Sequence, residues 1–338
     1  MNVRNAVSNG NAPTVISTFA GCGGSSLGYK LAGFRELLAV EWDDNAVETF
    51  KLNFPEVPVY HGDITKLTGS ECMRLAGIGP GELDVFDGSP PCQGFSTAGK
   101  RKFDDPRNSL FREYARLLKE LQPRVFVMEN VTGMIKGHMK QAYLTIIAEL
   151  RACGYRAKGE VLNAMYYNVP QSRERVIIIG VRNELGIEPT HPKPQTKPMT
   201  VREALIGLNM KVQDKAIMHT WIDESPSGRN TKTWHLAYKA KQGQKYAGQQ
   251  RRAIWGKPFP TITKPSSDGM GIKSYLRNSC CHPIETRCFS IRELARGCSF
   301  PDSFKFDENG ACRIGNSVPP NLMRAIATHI KENILTHA

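Results

Sequence analysis

The segment Asp87-Gly88-Ser89-Pro90-Pro91-Cys92-Gln93-Gly94-Phe95-Ser96 carries the side chain of this chain best suited to nucleophilic work. Two prolines ahead of the thiol hold the backbone to few conformers. A structural cysteine normally sits in an apolar run and behaves as a small hydrophobe, whereas Cys92 stands on a polar, glycine-flanked loop. A thiolate placed there can add to an electrophilic carbon and later leave by elimination. Glu129 closes an apolar run, a place from which a carboxyl can donate or share a proton. Arg173 and Arg175 offer a cationic field that favours the thiolate. The plainer alternatives are a capping role for Glu129 and structural ion pairs for the two arginines.

A second constellation lies nearer the N-terminus. In Phe19-Ala20-Gly21-Cys22-Gly23-Gly24 the glycines let backbone amides approach a ligand at the start of a helix. Glu41 follows about 20 residues on, where a carboxylate suits the hydroxyls of a ribose. Trp42 offers a face to a base, and Asp63, in Gly62-Asp63-Ile64, suits an exocyclic amine. Together they describe a nucleoside pocket; alone, the glycine turn could be structural. A dinucleotide-type G-x-G-x-x-G from Gly21 needs Gly or Ala at position 26, where Ser26 stands.

The elements that must hold these groups alternate between strand and helix. Val15–Phe19, Leu37–Val40, Leu83–Phe86, Val125–Met128 and Val176–Ile179 read as buried strands, the last on both faces. A short strand precedes Gly62, and a helix from the glycine turn ends near Gly33. Leu110, Tyr114, Leu117, Leu118 and Leu121 share one helical face that stops before Pro123, and Tyr143, Ile146, Ile147 and Leu150 share another that stops at Gly154. This is the pattern of an α/β fold with a doubly wound, mostly parallel sheet. Past Gly180 the texture turns irregular, with capping-box signatures at Thr200–Glu203 and Ser290–Glu293 and a final helix opened by Pro319-Pro320. We expect a flexible tail over 1–13, a main domain from 14–183 and 290–338, and a smaller domain from 184–289.

The 338 residues carry a formal net charge of +13. Between Asn183 and Arg287 there are 17 Lys and Arg against 8 Asp and Glu, so the excess is concentrated in the smaller domain. A basic stretch of this kind suits a polyanion, though solubility is the simpler reading. No apolar run reaches the roughly 18 residues of a membrane helix, and the polar N-terminus lacks the apolar core of a signal peptide. Nine cysteines, an odd number, are expected as reduced thiols, and no Cys-x-x-Cys pair in the late cluster invites zinc.

The string Pro90-Pro91-Cys92-Gln93-Gly94-Phe95-Ser96 resembles the catalytic loop of DNA (cytosine-5) methyltransferases. The other motifs of that family stand in its order. Phe19–Gly24 resembles the cofactor loop, Glu129-Asn130-Val131 the catalytic Glu-Asn-Val, and Gln171-Ser172-Arg173-Glu174-Arg175 the Gln-x-Arg-x-Arg motif. Arg292–Arg296 with Phe300-Pro301-Asp302, and Gly315-Asn316-Ser317-Val318, resemble the two closing motifs. One departure is visible: the family usually has Asp-Leu before its Phe-x-Gly, and this chain has Ser17-Thr18.

The resemblance implies a Rossmann-like fold that binds S-adenosylmethionine, with a target-recognition domain over 184–289. It implies Cys92 as covalent nucleophile, Glu129 as proton donor at the ring, Asn130 holding that carboxyl, Arg175 at the base carbonyl and Arg173 ordering the loop. The implied cofactor residues are Phe19, Gly21, Gly23, Gly24, Glu41, Trp42, Asp63, Ile64, Pro90, Leu110, Asn316 and Val318. The partner is double-stranded DNA, with the target base flipped out of the stack. Gln93, Ser96, Lys100, Arg101 and Lys102 are placed to meet DNA by the catalytic loop, unless that loop is merely solvated. Arg229, Arg251 and Arg252 are candidate base readers because Arg pairs bidentately with guanine, and Thr261-Ile262 resembles a Thr-Leu dipeptide of the family. Trp221, Trp234 and Trp255 are assigned to the small-domain core. A restriction endonuclease acting on the same site, without direct binding, fits this reading, as do a monomer and a cytoplasmic location. The alternatives are a tRNA cytosine-5 methyltransferase, whose Cys-Phe-Thr string Cys288-Phe289-Ser290 superficially resembles, and a non-catalytic nucleic-acid-binding relative.

Overall fold

Runs of Val, Ile and Phe without alternation make strands that can be covered on both faces. In the computed structural model such runs assemble β1 (Thr14–Thr18), β2 (Arg35–Glu41), β3 (Val59–His61), β4 (Val85–Gly88), β5 (Val125–Val131), β6 (Tyr155–Asn163) and β7 (Glu174–Arg182). They form one seven-stranded sheet in the order β3-β2-β1-β4-β5-β7-β6. The neighbours from β3 to β5 are all parallel, and β7 runs antiparallel to β5. The residues described are 12–91, 109–137, 139–208, 241–243, 245–247, 250–264, 280–283, 289–307 and 310–337. Among them no helix is long and apolar enough to cross a membrane.

The chain steps outward from β1 through α1 (Gly24–Leu31) to β2, then through α2 (Asp44–Asn53) to β3. After α3 (Gly69–Ala76) it returns to β4 beside β1 and steps the other way through α4 (Ser109–Leu121) to β5. Crossovers between parallel strands are right-handed as a rule, so connections on opposite sides of this reversal put helices on both faces. They also open a crevice at the carboxyl ends of β1 and β4, where ligands bind in such sheets. The core joins Ile16, Leu38, Phe86, Phe126 and Met128 of the strands to Leu117, Leu118 and Leu121 of α4 and to Ile146, Ile147 and Leu150 of α5 (Met139–Ala152). Tyr114 is stacked on Phe86, and its hydroxyl lies 3.2 Å from the Phe86 carbonyl and 3.1 Å from that of Val127.

The described chain forms two compact units. The first is Met1–Leu162, Glu174–Lys193 and Leu322–Ala338, and holds the large sheet; the second is Asn163–Arg173 and Pro194–Asn321. In the second, β8 (Lys245–Ala247), β9 (Gln250–Arg252) and β10 (Cys280–Cys281) form a small sheet in the order β10-β9-β8. Among its described residues the α-helices are α6 (Val201–Leu205), α7 (Ile291–Gly297) and α8 (Gly310–Asn316). Thr200 with Glu203, and Ser290 with Glu293, form the two expected capping boxes on α6 and α7, each stabilising its helix by about 1 kcal/mol. The Pro319-Pro320 step opens α9 (Pro320–Asn333), with Pro at the first helical position where its missing N–H is not needed.

The buried run Val176–Ile179 lies in β7, covered as expected but running against the direction of β5. Burial of both faces does not encode strand direction. β6 carries Arg156, Lys158 and Glu160 among its apolar residues and so shows no continuous run.

Candidate active site

The glycine turn leaves β1 at a left-handed residue, Phe19, with φ 54°. For a bulky side chain that conformation costs about 1–2 kcal/mol, so the surrounding loop must hold it. Gly21 follows, and its N–H donates to Glu41 Oε2 at 2.8 Å. Gly23 caps α1 with φ 93°, and a Cβ there would run into the Phe54 ring. Only glycine meets both demands. Glu41 ends β2 and its carboxylate also takes the N–H groups of Trp42 and Asp43 on Oε1, at 2.9 and 3.0 Å. A carboxylate has about four acceptor positions, so one on Oε2 remains for a hydroxyl. Trp42 is 75% exposed beside it, an aromatic face open to a ligand. Asp63 lies in the turn after β3, its Oδ1 accepting from Thr65 N at 2.9 Å, and Ile64 is buried behind it. Gly24 begins α1, Pro90 is buried after β4, and Leu110 packs on the core from the first turn of α4. These ten residues all belong to the first unit. Asn316 and Val318 belong to the second, Asn316 exposed at the end of α8 and Val318 buried after it.

The other half of the edge is built by β4, β5 and β7. β4 delivers the chain to Pro90 and Pro91, directly before Cys92 in sequence. Asn130 Nδ2 donates to the Pro90 carbonyl at 3.0 Å. In the β5–β7 ladder Val131 faces Arg175 and Glu129 faces Ile177. Glu129 and Arg175 therefore lie diagonally on one face, with Arg175 Nε 2.7 Å from Glu129 Oε1. Both side chains are nearly buried, 13% and 11% exposed. Asn130 was expected to hold the Glu129 carboxyl. Successive strand residues point to opposite faces, so its amide reaches Pro90, while Arg175 is the residue that engages the carboxyl.

Arg173 has a different surrounding. It is 2% exposed in the second unit, with Nη1 donating to Ile262 O at 2.9 Å and Nη2 to Gly315 O at 3.2 Å. A Cβ on Gly315 would strike the Thr263–Lys264 backbone, so the Gly-Asn-Ser-Val segment needs glycine to lie against the segment that Thr261-Ile262 begins. Gln171, a motif residue that sequence reasoning did not single out, completes this web. It is fully buried, donates to Gly297 O at 3.3 Å and accepts from Ile262 N at 3.0 Å. Its signal was available: a glutamine fixed ahead of two arginines with no chemistry of its own to do. Thr261 Oγ1 donates to Ser172 O at 2.8 Å.

Ser172, Lys257, Pro260 and Thr261 line a cleft of about 470 Å³ in the second unit. Arg252, expected at a base edge, also lines this cleft; it is largely buried there and donates to His282 O at 3.2 Å. Of Arg251 only the backbone, in β9, is described. Trp255 packs edge-on against His282. Phe289, from the Cys288-Phe289-Ser290 string, is buried against Phe259, and Ser290 is the cap of α7. Cys92, Gln93, Ser96, Lys100, Arg101, Arg229, Trp221 and Trp234 lie outside the described residues.

A family model for C-5 cytosine-specific DNA methylases matches residues 13–332. The chain belongs to that family. The methylase is 36% identical over 339 residues to the type II methyltransferase M1.HphI of Haemophilus parahaemolyticus, covering 93% of this chain and 85% of the relative. It is 33% identical over 341 residues to the type II methyltransferase M.NgoPII of Neisseria gonorrhoeae, covering 96% and 97%. Its fold matches a crystal structure described as a DNA modification methyltransferase encoded within a prophage (E. coli), with a TM-score of 0.75, 25% identity, and 96% and 100% of the two chains covered. A Spodoptera frugiperda DNMT2 mutant shares the fold at a TM-score of 0.63 and 20% identity, over 93% and 98% of the chains. The methylase is a DNA (cytosine-5) methyltransferase.

Proposed function

We propose that this methylase transfers the methyl group of S-adenosylmethionine to carbon 5 of one cytosine in a specific double-stranded DNA sequence, through a covalent bond to Cys92. The observation that carries the reading is the sheet edge where Glu129 is paired with Arg175 and Asn130 grips Pro90, two residues before Cys92. The donor set beside it fits the cofactor. Glu41 keeps an acceptor for a ribose hydroxyl, Trp42 offers a bare ring, and the amides around Gly21 to Gly24 line the turn. When bound, S-adenosylmethionine supplies an electrophilic sulfonium methyl.

The protein's own groups prepare the base. Cytosine carbon 5 is a poor nucleophile. Addition of the Cys92 thiolate to carbon 6 breaks the ring's 5,6 double bond and moves its electron pair toward carbon 5. Glu129 holds a proton at ring nitrogen 3, which stabilises the charge that develops there. Arg175 orients Glu129, with which it is paired, and in this reading also meets the base carbonyl, the role the family resemblance gives it. After methylation, loss of the carbon 5 proton and expulsion of the thiolate restore the ring. The base is unreachable inside a duplex, so it is flipped out. The segment 184–289 supplies sequence recognition, with Thr261 and the cleft around it as the part best placed to meet DNA. The type II names of the relatives favour a partner endonuclease that reads the same sequence.

Transfer of labelled methyl from S-adenosylmethionine to duplex DNA and to tRNA tests this. Incorporation into DNA cytosine alone is expected. Incorporation into tRNA alone, or none by a cofactor-binding preparation, would overturn it.

A further inference from the structure

Two carboxyl groups lie inside the first unit that the catalytic edge does not use. Asp87, on β4, is 2% exposed, and its partner across the parallel ladder is Ser17 of β1. Tyr29 of α1, fully buried, donates its hydroxyl to Asp87 Oδ1 at 3.3 Å, and the Ser25 hydroxyl also interacts with this carboxyl. Glu36, on β2, is the second. Ser26 Oγ donates to its Oε1 at 2.9 Å, and the Ser17 hydroxyl is nearby without closing a hydrogen bond of standard geometry. Glu36 is opposite Val15, two residues before Ser17, so Glu36, Ser17 and Asp87 share one face of the sheet.

That face carries α1. Ser25 and Ser26 form its first turn and Tyr29 its second, so the groups bonded to the two carboxyls belong to the helix fed by the Phe19–Gly24 turn. Burial, with the nearby Glu36 adding, pushes Asp87 up to about 8, and burial pushes Glu36 up to about 7. Tyr29, Tyr114, Glu36 and Glu129 face Asp87, and Lys30 and Glu56 face Glu36. The hydrogen-bond partners of the buried Asp87 carboxyl, the Tyr29 and Ser25 hydroxyls, both belong to α1, so Asp87 ties β4 to that helix. Residues in register on adjacent strands are only about 4.8 Å apart, so a side chain at 87 covers nearly the same ground as one at 17. By the resemblance of Phe19–Gly24 to the family's cofactor loop, position 17 is where the family's usual Asp-Leu would place a carboxyl, and this chain has serine there.

We propose that Asp87 is a positioning residue for the cofactor turn, reaching α1 from β4 in place of the carboxyl that position 17 of β1 lacks. The inference rests on the reading of that turn as the S-adenosylmethionine site. It separates Asp87 from ordinary core packing, because a carboxyl moved back to β1 should serve equally well.

The test compares S-adenosylmethionine Kd and the KM for DNA in wild type, Asp87→Val, Asp87→Asn and the double variant Ser17→Asp/Asp87→Val. Asp87→Val should weaken cofactor binding by about tenfold or more with KM for DNA within about twofold. Asp87→Asn, which keeps the shape and a donor, and the double variant should both lie within about threefold of wild type. Wild-type affinity in a folded Asp87→Val would overturn the inference. So would a folded double variant that binds no better than Asp87→Val, or, where Asp87→Val does not fold, one that binds weakly. A wild-type protein that does not bind S-adenosylmethionine would overturn the cofactor reading itself and the inference with it; the other failures leave that reading standing.

Discussion

Arg175 Nε and Glu129 Oε1 lie 2.7 Å apart on adjacent antiparallel strands, both side chains close to buried. Opposite charges in that position hold each other's geometry, and loss of either partner strands the other. Removing one member of a buried pair costs about 3–5 kcal/mol. The expected signature is a split between stability and activity. Glu129→Gln should lower kcat by about 10²–10³ and also lower the thermal midpoint. Adding Arg175→Met should restore much of the midpoint while activity stays lost. A double variant that regains turnover would show the pair to be purely structural.

Asn130 is the tie between β5 and the stretch before the nucleophile, through its 3.0 Å bond to Pro90. Asn130→Ala should leave cofactor affinity intact and slow the single-turnover rate by about 10–100-fold, because the loop entering Cys92 loses its anchor. Asn130→Asp should behave alike, since a carboxylate cannot donate to a carbonyl. Single-turnover methylation with saturating cofactor checks both variants. An unchanged rate in either would remove Asn130 from the catalytic arrangement.

The two arginines of one motif should separate cleanly. Arg173 bonds Ile262 and Gly315 with the two arms of its guanidinium, all inside the second unit. Lysine cannot span both carbonyls. Each carbonyl left bare costs about 1–3 kcal/mol. Arg173→Lys should therefore lower stability and DNA affinity and leave cofactor binding nearly unchanged. Calorimetry with fluorescence titration of DNA and cofactor reads all three, and weakened cofactor binding alone would contradict this assignment.

Asp87 and Glu36 should give the fold a pH-dependent weakness. Their folded values, about 8 and about 7, exceed the ordinary 3.8 and 4.5. Below pH 4 both states hold these protons. As pH rises toward 8, the unfolded chain releases them first, so the contribution to stability is lost over that range. Asp87→Asn and Glu36→Gln should remove this loss, and their thermal midpoints relative to wild type should rise from pH 5 to pH 8. Parallel midpoint curves for variants and wild type would contradict the burial of these acids.

Much of this arrangement is legible in the sequence because its carriers are local. Apolar runs give the strands, Gly23 and Pro320 mark helix starts, and Thr200 with Glu203 announces a cap. What escapes is what depends on which strands become neighbours. The direction of β7 against β5, the turn of Asn130 toward Pro90 and the register of Ser17 with Asp87 are all set by pairings across 40 or more positions of chain, as the separations of Val131 from Arg175, of Asn130 from Pro90 and of Ser17 from Asp87 show. Arg252 illustrates the same limit from the other side. An arginine in a basic stretch reads as a DNA contact, and nothing in the sequence announces that its guanidinium also bonds the His282 carbonyl.

The most direct test of the account is bisulfite sequencing of host genomic DNA after expression of the wild-type chain and of Cys92→Ser. The wild type should protect one cytosine within a defined short sequence throughout the genome, and Cys92→Ser, folded and still binding cofactor, should protect none. Equal protection by Cys92→Ser, or an unprotected genome in cells holding folded, cofactor-binding wild type, would contradict the central claim.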